Sequence, residues 1–446
     1  MTTRPTAIGD RGRAPLWLVS FAWLTTALST APARGDLPEY LRKPEPAYSW
    51  KLHEKMERGG DTVYDLRLVS QTWQGITWEH SLQIYQPKGV RPSATLLLWN
   101  QGGKPSLGSV AFGLDLARKL QAPCAFLYGI PNQPLLDGKK EDALIAETFV
   151  RYLDGKDENW PLLFPMVKSL VKAMDALQAF ARQEWKSPVE NFLVTGASKR
   201  GWTTWLTGAS DPRVKAIAPL VIDTLNMREQ SAHQKKTLGA YSEQIRDYTE
   251  RGLVPVPDTP RAQRLWKMID PYSYRDNLKM PKLIINGNND PYWATDALNL
   301  YWDGLKGDKW VLYVPNAGHN LEQKGEDGKT DRTRAVTGLA AFGRHIIRDN
   351  PMPKLTWKHD DADGKPRLAV RSTTAPKAAR LWTAEAPTRD FRKSKWTSRP
   401  LECKDGSVLT VVDPPAKGFL AFYAEMDYTA GDLPHHLSTQ LRVVEK

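Results

Sequence analysis

The chain has 446 residues, 41% of them hydrophobic and 25% charged, with a formal net charge of +12. These are ordinary globular proportions; they exclude a low-complexity or disordered protein, and the length suffices for a large catalytic domain plus a smaller one. No basic run is interleaved with aromatics, which argues against a nucleic-acid partner and leaves either an anionic envelope surface or plain scattered lysines to account for the charge.

Residues 1–13 carry Arg4, Arg11 and Arg13, an apolar run follows from Leu16 to Leu24, and Ala31-Pro32-Ala33 offers a small-residue cleavage site. Basic, apolar and small segments in that order read as a secretory signal peptide over residues 1–33. The apolar run is shorter than the roughly 20 residues a membrane span needs. The protein is therefore expected to be exported, to the periplasm or out of the cell. Its two cysteines, Cys124 and Cys403, fall in different expected domains. A disulfide is chemically permitted in an exported protein, but Cys124 sits in an apolar strand and reads as a buried thiol. No C-x-x-C occurs, the eight histidines show no metal-ligand spacing with either cysteine, and His435-His436 is expected in a loop. Neither metal nor cofactor is called for.

Residues 37–50 read as an irregular arm. Thr62–Thr72 and Ile76–Tyr85 alternate apolar and polar residues around Gln74-Gly75, the pattern of an antiparallel hairpin. Ala94–Trp99 is a continuous apolar run suited to a buried central strand, and it empties into Asn100-Gln101-Gly102-Gly103. A helix-period segment at Val110–Leu120, an apolar strand at Cys124–Ile130 and a long helical pattern at Trp160–Trp185 follow. Short apolar strands recur at Phe192–Val194, Val214–Ile222, Lys282–Asn286 and Lys309–Val314. Between the second and third of these, about residues 224–280 form a helical, proline-broken insertion suited to a cap. Alternating strands and helices imply a mainly parallel sheet covered on both faces, so residues 34–349 are expected to form an α/β catalytic domain. From Lys354 onward the period changes to two, and residues 350–446 read as a small all-β sandwich of roughly ninety residues.

The chemistry centres on Asn191–Trp205, NFLVTGASKRGWTTW. A strand runs through Gly196-Ala197-Ser198 into a helix, the layout that presents a nucleophilic serine on a strained turn. The usual glycine two places after the serine is Arg200, and Gly201 comes one place later. A serine needs a base, and the base an orienting acid. Asp290 and His319 follow the next two strands to serve those roles, 92 residues after the serine and 29 after the acid, with Asp223 as the rival acid. Oxyanion donors are expected from the backbone of Lys199 and of Gly102 or Gly103. The Lys199 and Arg200 side chains either hold an anionic substrate or form structural ion pairs. Trp202, Asn289 and Trp293 are candidate substrate contacts, and Glu229 or Glu243 would serve a substrate amine.

The strings VTGASKRGWTTWLTGASDPRVKAIAPLVIDTLNM, NGNNDPYW and NAGHNL resemble the PhoPQ-activated pathogenicity-related protein family, from about residue 40 to the C-terminus. The resemblance implies an α/β-hydrolase fold, export, and Ser198, Asp290 and His319 as a triad; the displaced glycine belongs to the family pattern. It also implies kinship with secreted proliferation repressors, some of them similar to dipeptidyl peptidases. The reading is thus an exported serine hydrolase acting on a small-molecule, peptide or sugar-ester substrate. The alternative is a non-catalytic secreted binding or signalling protein on the same scaffold.

Overall fold

A computed structural model describes residues 36–325 and 328–446; the expected leader at 1–33 lies outside them. The described residues form one compact unit. Its first strands are β1 (Ser49–Arg58), β2 (Asp61–Trp73) and β3 (Ile76–Gln86), followed by β4 (Thr95–Asn100), β5 (Cys124–Leu127) and β6 (Asn191–Ala197). Then come β7 (Val214–Leu220), β8 (Lys282–Gly287) and β9 (Lys309–Val314). They lie in the order β1-β2-β3-β5-β4-β6-β7-β8-β9. β1 to β3 pair antiparallel, β3 meets β5 antiparallel, and every pair from β5 to β9 is parallel. This is the strand order of an α/β-hydrolase, preceded by one extra edge strand.

The helices used below are α1 (Leu37–Arg42), α2 (Leu107–Leu120), α3 (Glu141–Asp154), α4 (Leu163–Phe180) and α5 (Lys199–Ser210). The parallel strands bury side chains on both faces. In β4, Leu96 and Leu98 join one apolar cluster with α3, α4 and α5, whereas Leu97 and Trp99 join the other with α2 and the Thr333–Ile347 helix. Two-sided burial explains why these strands are continuous apolar runs. The β2–β3 hairpin turns on Gln74 and Gly75, both left-handed at φ 50° and 74°, the conformation that the tight hairpin turn requires.

Several local expectations are corrected. The irregular arm is helix α1 plus the start of β1. β1 was missed because it is an edge strand with mostly exposed, charged side chains, so no alternation marks it. His435 and His436 lie in the strand Leu433–Ser438, paired with Phe419–Ala430, not in a loop. The chain ends in two separate strands, Leu433–Ser438 and Arg442–Glu445. The insertion at 224–280 is helical, with helices Met227–Leu238, Arg246–Thr249 and Pro260–Ile269.

The C-terminal residues form an antiparallel β region whose larger sheet continues the central one. Ser438 pairs with Val311 of β9, and beyond Leu433–Ser438 lie Phe419–Ala430, Ala378–Ala386 and Thr397–Leu401. A second sheet of three strands, Leu355–Ala362, Lys365–Ser372 and Ser407–Val411, stands beside it. Cys124 and Cys403 are both free thiols; Cys124 is buried and donates to the Gly113 carbonyl at 3.4 Å. Among the described residues no helix is long and apolar enough to cross a membrane.

Candidate active site

Ser198 sits between β6 and α5 with φ 58° and ψ −128°, a backbone conformation that costs a non-glycine residue energy and is held only by its surroundings. Its N–H donates to the Leu220 carbonyl at 2.9 Å and its carbonyl accepts from Trp202 N–H at 3.0 Å, so the turn is tied to β7 on one side and starts the helix on the other. A β-carbon on Gly196 would stand 2.3 Å from Asn100 Nδ2, and one on Gly201 2.6 Å from Ile222 Cγ2 and 3.0 Å from the Gly196 and Leu220 carbonyls. Helix α5 therefore needs its glycine at position 201, where it crosses the strands. Residue 200 faces the loop after β4 instead, and there Gly102 concedes the space: a β-carbon on it would lie 2.4 Å from Arg200 Nη2.

Arg200 is fully engaged. Nη1 and Nη2 donate to the two Glu141 carboxylate oxygens at 2.6 and 2.8 Å, and Nε donates to the Ile130 carbonyl. Ile130 N–H in turn donates to the Gln101 carbonyl at 2.9 Å, while Gln101 N–H donates to the Leu127 carbonyl at 2.7 Å. Lys199 Nζ lies 2.9 Å from Glu141 and 3.1 Å from Asp142. Burial would push the Glu141 carboxyl up, but the hydrogen bonds and charges of Arg200 and Lys199 together hold it well below the usual carboxylate range. Both cations beside the serine are thus neutralised by the first two residues of α3. Nothing in the sequence marked Glu141 and Asp142, because a contact across 59 positions leaves no local pattern.

β8 delivers Asp290 and β9 delivers His319. His319 Nδ1 is 2.8 Å from Asp290 Oδ2, and Tyr292 N–H donates to Asp290 Oδ1 at 2.8 Å. The two loops touch because Gly287 has no side chain: a β-carbon there would be 2.5 Å from the carbonyls of Ala317 and Gly318. The Tyr292 ring stacks on the imidazole at 4.1 Å. His319 Nε2 is buried and without a hydrogen-bond partner among the described residues. Asp223, the rival acid, is instead buried against Tyr301 and Asn286. Burial pushes its carboxyl up to about 7 against those two hydrogen bonds, with the Asp290 charge adding to the rise.

Ser198, Lys199, Trp202, Trp293 and His319 line one narrow cavity, joined by Asp142, Tyr248 and Tyr292. It holds about 30 Å³, room for on the order of two waters. Trp202 is fixed by donating Nε1 to the Ile269 carbonyl at 2.6 Å and by stacking on Trp266. Asn289 is not in the cavity. Its amide donates to the carbonyls of Phe391, Arg392 and Ser394 at 2.8–3.2 Å, because the C-terminal loop covers that side of the acid loop. Glu229 and Glu243 are exposed and do not line the cavity either. Of the expected oxyanion donors, Lys199 N–H begins α5, where a helix offers no internal acceptor, and Gly102 and Gly103 lie in the loop that Arg200 braces.

Among the described residues one His/carboxylate group has metal-compatible spacing: Glu425, Asp427 and His436. Glu425 already accepts from Arg334 and Arg380 at 2.7 and 2.8 Å, and His436 Nδ1 pairs with Asp427 at 2.7 Å. That cluster is satisfied by its own ion pairs.

The sequence pattern described as PhoPQ-activated pathogenicity-related protein matches residues 37–392. Autocrine proliferation repressor protein A of Dictyostelium discoideum is 32% identical over 433 residues, covering 88% of this chain and 85% of its own. Among solved structures, acetyl xylan esterase 1 from Thermoanaerobacterium sp. JW/SL YS485 is 16% identical with a TM-score of 0.46, covering 64% of this chain and 86% of that one. Pyrococcus horikoshii acylaminoacyl peptidase is 12% identical with a TM-score of 0.42, covering 68% and 50%.

Proposed function

The chain belongs to the PhoPQ-activated pathogenicity-related protein family, and from that premise we propose that it is an exported serine hydrolase working by acyl transfer. The observation that carries the proposal is the 2.8 Å His319–Asp290 contact, in a histidine that lines a cavity with Ser198 and whose Nε2 has no hydrogen-bond partner among the described residues. In this reading Ser198 Oγ attacks a carbonyl carbon and passes its proton to His319 Nε2. Asp290 holds the tautomer with the proton on Nδ1 and stabilises the imidazolium that forms. The oxyanion is received by the backbone N–H of Lys199 and of the Gly102-Gly103 loop. Collapse sends the proton to the leaving atom and leaves an acyl-serine, which water then hydrolyses with His319 as base. Every group this sequence requires is supplied by the chain.

The test is turnover of a panel of aryl acetates and peptide 4-nitroanilides by the mature protein. Activity on at least one ester or anilide, abolished in Ser198→Ala and in His319→Ala, is the expected result. A folded wild type inert on the whole panel and indistinguishable from Ser198→Ala contradicts it. The name of the Dictyostelium relative favours a second reading, a signalling protein that does not turn over substrate. In that case Ser198→Ala would retain the biological effect of the wild type.

A further inference from the structure

His319 also lines a second cavity, which Ser198 does not line. It is a groove of about 650 Å³ between α2 and the Thr333–Ile347 helix, within the size range of small-molecule sites. Ser198 lines the slot and not the groove, whereas His319, Gln101 and Ala197 are among the residues that line the groove. In an acyl transfer the acyl carbon must bond to Ser198, and the departing atom must collect the proton held on the histidine. A cavity that shares the histidine but not the serine is placed for the departing half.

Part of the groove's lining is apolar. Trp99 and Leu339 form buried walls, and Phe112 and Val336 present partly exposed faces. Four charged side chains also line it, and they cancel in two ion pairs: Lys119 with Asp115 at 2.5 Å and Arg332 with Glu322 at 2.9 Å. The serine side is neutralised in the same way, since Lys199 and Arg200 face Glu141 and Asp142. No uncancelled cation waits for a carboxylate or phosphate among the described residues lining the groove, so an anionic leaving group would find no charge partner there.

We infer that the groove is the leaving-group site, and that the leaving group is uncharged and largely apolar, an aryl or alkyl alcohol or amine. The inference rests on the hydrolase reading above. In the step it serves, the Ser198 Oγ–carbon bond has formed, the bond from carbon to the leaving atom breaks, and the proton from His319 Nε2 neutralises that atom. A neutral product is left in the groove.

The experiment compares two acetyl esters that differ by one charge on the leaving group, methyl 4-acetoxybenzoate and 4-acetoxybenzoate. The wild type should prefer the neutral ester by about tenfold or more in kcat/KM, a discrimination within reach of one pocket contact. Val336→Asp should raise KM for the neutral ester by a similar factor. Asp115→Asn, which leaves Lys119 without its partner, should raise kcat/KM for the anionic ester severalfold. Labelling of Ser198 by diisopropyl fluorophosphate, which is too small to need the groove, should be unchanged in both variants. Equal rates on the two esters with labelling intact, or a neutral-ester KM indifferent to Val336→Asp together with an anionic rate indifferent to Asp115→Asn, overturns the groove assignment alone. Absence of labelling in the wild type overturns the hydrolase reading, and the assignment with it.

Discussion

The Arg200 guanidinium occupies the space into which a side chain on Gly102 would grow, with Nη2 2.4 Å and Cζ 2.8 Å from the position of a β-carbon there. Arg200 cannot simply swing aside, because Glu141 and the Ile130 carbonyl hold all three of its nitrogens. Arginine at position 200 and glycine at position 102 are therefore two halves of one fit, and the fit braces the loop expected to supply an oxyanion donor.

Gly102→Ala should cost activity in the wild-type background and much less in an Arg200→Ala background. Loss of a single oxyanion donor typically lowers kcat by 10²–10³, and we expect Gly102→Ala to fall at or below that range with KM little changed. Coupling between two contacting residues is on the order of 0.5–3 kcal/mol. A double-mutant cycle on kcat measures it; strict additivity would show that the two residues do not act as a unit.

Asp290→Asn should leave the fold intact and lower kcat by about 10⁴, the scale found when an orienting acid no longer fixes the histidine tautomer. Asp223→Asn should spare kcat, because Asp223 faces Tyr301 and Asn286 rather than His319. Steady-state kinetics on the two variants assigns the acid. The reverse ranking would move it to Asp223.

Asp223 should instead show in the pH dependence of stability. Its folded-state carboxyl is pushed up to about 7 from an ordinary 3.8. Between those values the folded protein binds a proton that the unfolded chain does not, so stability is full below about 4 and declines as pH rises toward 7. Asp223→Asn removes that decline, with a gain over wild type that grows across this window to at most about 4 kcal/mol. Denaturant midpoints at pH 4.5 and 7.5 measure it, and a gain independent of pH would contradict the assignment.

The C-terminal β region is coupled to the loops that carry Asp290 and His319 through two asparagines. Asn289, beside the acid, donates to three carbonyls of the 391–394 loop. Asn316, three residues before the histidine, exchanges hydrogen bonds with the backbone of Trp396 at 2.7 and 2.9 Å. Asn316→Ala should lower both the melting temperature and kcat, at about 1 kcal/mol for each hydrogen bond lost. Truncation after residue 349 should yield no stable active fragment, since it strips the edge of β9 and both tethers. A soluble, active 34–349 fragment would refute this coupling.

The strand-end positions of Ser198, Asp290 and His319 were legible in the sequence because each follows a buried strand, and two-sided burial writes strands as unbroken apolar runs such as KLIIN and KWVLYV. The serine turn was legible because its glycines mark close backbone approaches. What stayed hidden depends on contacts distant in sequence. Glu141 and Asp142 read only as the acidic start of a helix, yet they decide that Lys199 and Arg200 are structural pairs rather than free anion binders. Asn289 sits one residue from the acid, and nothing local says that its amide turns to the 391–394 loop. The C-terminal strands were recognisable by their period of two, but pairing Ser438 with Val311, which joins them to the central sheet, has no local signature.

The most direct test of the central claim is covalent labelling of the mature protein with a fluorophosphonate, read by intact mass and peptide mapping. One adduct per chain is expected, on Ser198, lost in Ser198→Ala and slowed by orders of magnitude in His319→Ala. A folded protein that takes no label, or takes it at the same rate without His319, would show that Ser198 is not an activated nucleophile.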